Sequence, residues 1–167
     1  MKTREIIVTL LALVAIGVTS FFAYRYEQRR ATADTCPFCD RMVHSATAYR
    51  LTVDGHEMAA CCPRCGMRAQ VNREQRKLDH AHATDVTTGE TIAADSATYV
   101  EGGDVLYCTH GNQPVTREPN GVSVREYDRC LPTLAAFKTP QEADLYQKQH
   151  GGRVLTYAQA LDSVQGQ

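Results

Sequence analysis

The chain has 167 residues, a formal net charge of −1 and a sequence pI of about 6.6. That size admits one anchor with one compact domain, or two small subdomains. Nothing in the charge is basic enough to argue for nucleic acid, and no glycine-rich phosphate loop or Gly-x-Ser-x-Gly motif points to nucleotide or triad chemistry.

The first element is apolar. Residues 6–24 read IIVTLLALVAIGVTSFFAY without a charge, after Lys2, Arg4 and Glu5. Nineteen helical residues span about 28 Å, close to the hydrocarbon thickness of a bilayer. Residues 1–24 are therefore expected to be a transmembrane anchor or an uncleaved signal. A cleaved signal peptide is the competing reading, since Ala31-Thr32-Ala33 has a small-x-small form. Arg25, Glu27, Arg29 and Arg30 stand between it and the apolar run. Residues 25–35 read as a polar tether, and charges on the two flanks leave orientation open.

Two cysteine pairs follow, Cys36-Pro37-Phe38-Cys39 and Cys62-Pro63-Arg64-Cys65, separated by 22 residues. Between them, Thr47, Tyr49, Leu51 and Val53 alternate with polar or smaller positions, Asp54-Gly55 signals a tight turn, and His56 to Ala60 return. A helix is expected from about Pro63 towards Leu78, with proline in the first turn, where its missing N–H costs nothing. Cys62 and Cys65 then fall at the positive end of that helix, which favours their thiolates. Residues 36–78 thus predict a cysteine-rich ββα unit of treble-clef-like layout. Such a small unit commonly needs metal or a packed neighbour.

Residues 79–167 predict a second α+β unit. Asp79, His80, His82 and Asp85 precede a Thr87-Thr88-Gly89 turn, and a strand, a Gly102-Gly103 turn and a strand occupy residues 98–109. Residues 112–121 read as loop, and another strand is expected from Val122 towards Tyr127. Thr139-Pro140-Gln141-Glu142 is a capping box with proline in the first turn, and His150-Gly151-Gly152 ends that helix. A short strand over 153–155 and a last helix capped by Thr156 complete an α+β chain.

Two short cysteine pairs with a hairpin-length spacer can close one tetrahedral sulfur site. With Met42, Met67 and His44 nearby in sequence, the donors at Cys36, Cys39, Cys62 and Cys65 suit a soft ion. Thiolate with thioether selects Cu(I), whereas four thiolates alone suit Zn(II) equally. The chain has seven cysteines, an odd number that cannot all pair internally. Cys108 and Cys130 are candidates for a disulfide or an accessory role, and Cys61 for a buried thiol or spare ligand. Two other functions compete with metal carriage. One is a structural-zinc module for protein contact. The other is a thiol–disulfide oxidoreductase, for which a single pair would suffice.

The order and spacing of several motifs resemble those of the NosL-type copper chaperones of nitrous oxide reductase maturation. The likeness runs from Cys36, Cys39, Met42 and Val43 through Gly55 to Cys62, Cys65, Gly66 and Met67. It continues through Asp85-Val86-Thr87-Thr88-Gly89, Ile92, Ala94, Ala97-Thr98-Tyr99-Val100, Leu134, Ala136-Phe137, Ala143, His150-Gly151-Gly152 and Val154-Leu155. The resemblance implies a pair of ββα units that bind Cu(I) and pass it to apo nitrous oxide reductase or another copper enzyme. It also implies no small-molecule turnover, and a domain held in the periplasm at the cytoplasmic (inner) membrane. Cys130 stands near the place where the family tends to carry a methionine that is a candidate copper ligand, and so joins the expected metal residues.

Overall fold

The computed structural model describes residues 3–33, 35–71, 78–109, 115–116 and 130–166. They form two units, Met1–Asp34 and Thr35–Gln167. The first is a helix, α1 (Thr3–Ala33), so residues 25–33, expected as a tether, are helical instead. Its large apolar side chains are exposed, from Val18 at 48% to Phe22 and Tyr26 at 66%.

The expected transmembrane helix is not supported. Among the described residues, no helix is long and apolar enough to cross a membrane. The apolar run closes at Arg25, and Thr19 and Ser20 interrupt its surface. The expected single-pass placement in the inner membrane with a periplasmic domain falls with that helix.

In the second unit, two turn residues set the first hairpin. Asp54 (φ 51°) and Gly55 (φ 76°) both adopt left-handed backbone, as a two-residue hairpin turn of the primed type needs. They join β1 (Tyr49–Val53) to β2 (His56–Ala60), with Val53 opposite His56. After α2 (Pro63–Val71), β3 (Leu78–Thr84) pairs with the free side of β1, and β4 (Thr91–Ala93) pairs with β3. Leu78 thus opens a strand where the sequence pattern continued a helix. The antiparallel sheet has the order β2-β1-β3-β4. His80 and His82, two apart on β3, are both exposed.

β5 (Thr98–Glu101) is central in a second antiparallel sheet, between β8 (Leu134–Phe137) and β9 (Arg153–Leu155). The strand beyond Gly102-Gly103, β6 (Val105–Leu106), does not fold back on β5; it pairs with β7 (Val115–Thr116). The strand expected over 122–127 lies outside the described residues. Helices α3 (Pro140–His150) and α4 (Tyr157–Gln165) start as the sequence indicates. Each has a complete capping box, Thr139 with Glu142 and Thr156 with Gln159, which satisfies orphan amides at both starts.

Asp85 joins the two sheets. It is fully buried, and one carboxylate oxygen accepts from the Thr87 and Thr88 amides, each at 2.8 Å. Its other oxygen accepts from the Lys138 amide at 2.6 Å. Beside it, the Val86 amide donates to the Ala136 carbonyl at 3.0 Å. Charge-assisted bonds to backbone N–H groups are about twice as strong as neutral ones, so a buried carboxylate is tolerated here. Buried residues of both sheets, α2 and α4 share one core, which contains six of the seven cysteines; Cys39 packs against it from its edge.

Gly66 decides how closely α2 lies on β1. A Cβ at this position would fall 2.1 Å from Cδ1 of Tyr49, a ring that is fully buried and whose hydroxyl donates to Gln70 Oε1 at 2.8 Å. Helix propensity alone favours alanine over glycine by about 1 kcal/mol, while overpacking a tight core costs about 1–3 kcal/mol. Overpacking wins at a contact this short. Gly66→Ala is expected to lower the urea midpoint of the full chain. An unchanged or raised midpoint would show that Tyr49 yields without cost.

Candidate metal centre

Four separate segments deliver the cysteines. Cys36 and Cys39 lie in a tight knuckle before β1. There the Cys36 amide donates to the Arg41 carbonyl at 2.7 Å, and the Asp40 amide donates back to the Cys36 carbonyl at 3.0 Å. Asp40 has φ 58°, which turns the chain within a few residues. Cys61 and Cys62 occupy the bend between β2 and α2, and Cys65 sits in the first turn of α2. Cys108 follows β6, and Cys130 precedes β8.

None of the seven cysteines is in a disulfide. The sulfurs of Cys36, Cys39, Cys61 and Cys65 lie within 4.8 Å of one another, and so do those of Cys61, Cys62, Cys108 and Cys130. Cys61 belongs to both sets. Its Sγ is 3.3 Å from Cys39 and from Cys108, and 3.8 Å from Cys62 and from Cys130. A further contact of 3.4 Å joins Cys65 to Cys130. A tetrahedral ion with metal–sulfur bonds of about 2.3 Å has sulfur–sulfur edges of about 3.8 Å. The observed spacings reach that value with only small outward shifts, so the residues present fit a thiolate-bound soft ion.

The expected grouping is rearranged. Cys36, Cys39 and Cys65 come together as the spacing suggested, but Cys62 turns to the other set, and Cys61 takes its corner. Cys108 and Cys130 arrive as thiols beside Cys61 and Cys62. Cys61 is the residue whose importance the sequence hid. Adjacent positions on a strand point to opposite faces, but β2 has ended at Ala60, and in the bend both sulfurs reach the same space. The only signal was the Cys-Cys doublet itself. Met67 is fully buried in the same core, whereas Met42 is 52% exposed. His44 belongs to neither convergent set; its Nε2 is buried without a hydrogen-bond partner.

Sulfur–sulfur contacts divide the thiols by acidity. Cys39 is pulled down to about 4, first by its interaction with Cys130 and then by Cys36 and Cys61. Cys36 is lowered to about 7: the contact with Cys39 raises it, but those with Cys61 and Cys65 outweigh that. Cys62 is lowered, chiefly by Cys108 and Cys130. The protons these groups shed are kept by their neighbours. Cys61 and Cys130 are raised, each chiefly by Cys108, and Cys108 itself lies at about 12.

A buried ion pair places the cysteine-bearing segments. Arg64, between Cys62 and Cys65, is 1% exposed. Its guanidinium donates to Glu101 Oε1 on β5 at 2.5 Å and to the Pro132 carbonyl, two residues past Cys130, at 2.5 Å. Glu101 also accepts from Arg153 on β9, at 2.6 Å, and from the Ser163 hydroxyl on α4. Burial pushes the Glu101 carboxyl up, but Ser163, Arg153 and Arg64 together hold it below its ordinary value. One carboxylate thereby fixes α2, β9, α4 and, through Arg64, the Cys130 segment.

No family model matches the chain. Over 135 residues it is 25% identical to the HTH-type transcriptional repressor CutR of Bacillus subtilis (strain 168), a match that takes in 80% of this chain and 60% of the repressor. The chain therefore spans less than two thirds of the length of that curated relative. Among solved structures, its fold is similar to that of the copper chaperone NosL from Shewanella denitrificans. The TM-score is 0.52 at 14% identity, covering 74% of this chain and 87% of that one. The chain has a NosL-type fold.

Two predictions follow from the electrostatics. A free thiol reacts with iodoacetamide faster as pH rises towards its pKa, but a thiolate already formed does not. In the reduced, metal-free chain, alkylation of Cys39 should be nearly pH-independent over roughly pH 6–8, read by peptide mass spectrometry; a rate that climbs about tenfold per unit would refute its low pKa. For Glu101 the folded value is depressed, so its charge contributes stability above 4.5, the ordinary value, and that contribution is lost as pH falls through the lower folded value. Glu101→Gln, which leaves Arg64 buried without its counter-charge, is expected to cost about 3–5 kcal/mol at neutral pH. The gap to wild type should narrow in acid, and a pH-independent gap would assign the loss to packing.

Proposed function

We propose that this NosL-type fold is a carrier of Cu(I). It holds the ion on cysteine thiolates and hands it to a metalloprotein, without turning over a substrate. The observation that carries this reading is the convergence of seven cysteine sulfurs, none in a disulfide, with contacts of 3.3–3.8 Å among them. Thiolates are soft donors and favour a soft monovalent ion. The similarity in fold to a copper chaperone supports the same choice.

The cargo enters and leaves by ligand exchange. A sulfur that enters as a thiol gives up its proton on binding and one already ionised gives up none; the ion stays monovalent, and no electron moves. Cys39 is half-exposed while its six partners are buried, so exchange with a recipient begins at that sulfur. Cys36, Cys61 and Cys65 stand behind it in the same set. Met42 and Met67 act as selectors against zinc where their thioethers reach the ion, since thioether binds zinc poorly, and His44 offers a buried nitrogen free for a further contact. The recipient suggested by the family resemblance is apo nitrous oxide reductase, or another copper enzyme.

A second reading draws on the match to a transcriptional repressor. In it, the same thiols bind an ion to report its presence and do not pass it on.

The test is anaerobic competition for Cu(I) between the reduced chain and a coloured chelator, with elemental metal content measured alongside. Copper held at about nanomolar affinity or tighter, with no zinc retained, is the expected result. Zinc retained with no preference for copper would overturn the copper reading. Copper that is bound but never reaches an apo acceptor protein would favour sensing over transfer.

A further inference from the structure

Two four-sulfur sets that share one corner use seven sulfurs, which is the number of cysteines in the chain. None is left over, and none is duplicated except Cys61. A single ion cannot account for this. It would occupy one set and leave at least three thiols of the other buried with no ligand role, although four separate segments converge to bring them there.

The two sets differ in access. In the first, Cys36, Cys61 and Cys65 are buried, and Cys39 is half-exposed at the knuckle. In the second, Cys61, Cys62, Cys108 and Cys130 are all buried, from 0% to 4% exposed. They belong to the same buried core as Tyr49, Met67, Tyr99 and Leu134. Cys61 touches members of both sets, at 3.3 Å to Cys39 on one side and 3.3 Å to Cys108 on the other. A thiolate has lone pairs enough to bridge two soft ions, and Cys61 is the sulfur placed to do so.

We propose that the cluster holds two Cu(I) ions in adjoining compartments that share the Cys61 sulfur: an outer, exchangeable one reached through Cys39, and an inner, closed one formed with Cys62, Cys108 and Cys130. This rests on the copper reading above and adds the number of ions, their arrangement and their order of release. Seven thiolates around two monovalent ions would leave a large uncompensated charge in the core, which burial penalises heavily. Each ion therefore draws on only as many thiolates as hold it, and the remaining sulfurs keep their protons. Each sulfur that binds as a thiol gives up one proton, once, even where Cys61 bridges two ions, and the oxidation state of copper does not change.

The test uses the full chain, reduced and loaded with Cu(I) without oxygen. Native mass spectrometry and elemental content give copper per chain, X-ray absorption gives copper–copper scattering, and a bulky Cu(I) chelator gives the release kinetics. Two ions per chain, a copper–copper distance, and release in a fast and a slow phase of equal amplitude are expected. Cys108→Ser should abolish the slow phase and halve the copper content. Cys39→Ser should slow or remove the fast phase and leave the slow one unchanged. Cys61→Ser should remove copper–copper scattering; circular dichroism checks that this variant folds, and the wild-type stoichiometry decides the case if it does not. One ion per chain, released in one phase with no copper–copper scattering, would overturn the two-compartment arrangement while the carrier reading stands. Zinc bound with no affinity for copper would overturn both.

Discussion

The contact between Arg64 and Glu101 is the constraint on which the site depends. The sulfurs belong to four segments that share no continuous secondary structure, so strand and helix hydrogen bonds cannot align them. The guanidinium reaches Glu101 and the Pro132 carbonyl at 2.5 Å each and so ties the first turn of α2 to β5 and to the approach of Cys130. Taking two charges out of water is costly, and the pair is tolerated because Arg153 and Ser163 complete the coordination of the carboxylate. A buried pair of this kind contributes little net stability when intact but costs several kcal/mol when one partner is lost. Its worth here lies in position. The same helix turn carries Cys65 and follows directly on Cys62, and a small rotation of α2 would separate the two sulfur sets.

Local features were legible in the chain. Asp54-Gly55 located the first hairpin because few residue pairs accept two successive left-handed conformations. Thr139-Pro140-Gln141-Glu142 and Thr156 located two helix starts because their side chains satisfy orphan amides within one turn. The cysteine pairs announced a soft site. Non-local features were not legible. β5 pairs with β8 and β9, more than thirty residues away, and no local pattern encodes that choice. The register of β3 against β1 likewise depends on packing beyond residue 72, where the sequence pattern still favoured a helix. Cys61 reads in the sequence only as a buried thiol or spare ligand, because neighbouring residues rarely share a direction; the bend after Ala60, where β2 ends, is what lets it do so. The apolar run at residues 6–24 suggested a span that the described helix does not support.

The low identity to structurally similar proteins fits this division. At 14% identity the arrangement of sheets and helices is still shared, because a fold tolerates wide substitution when burial pattern and turns persist. A metal site does not tolerate substitution in the same way, since its chemistry is set by particular donor atoms. The cluster here is built wholly from thiols brought together by Cys61, and its properties follow from those atoms and their burial more than from the scaffold.

The partly exposed position of Cys39 has a cost in an oxidising solution. Its sulfur is the accessible edge of a group of thiols in van der Waals contact, and it carries a low pKa. Oxidants attack accessible thiolates first, and a sulfenic acid formed there would have Cys61 at 3.3 Å as a resolving thiol. The resulting cross-link would consume the shared corner, and neither sulfur set would survive it. In air the empty cluster would thus lose first, through its accessible edge, the one sulfur that both sets share.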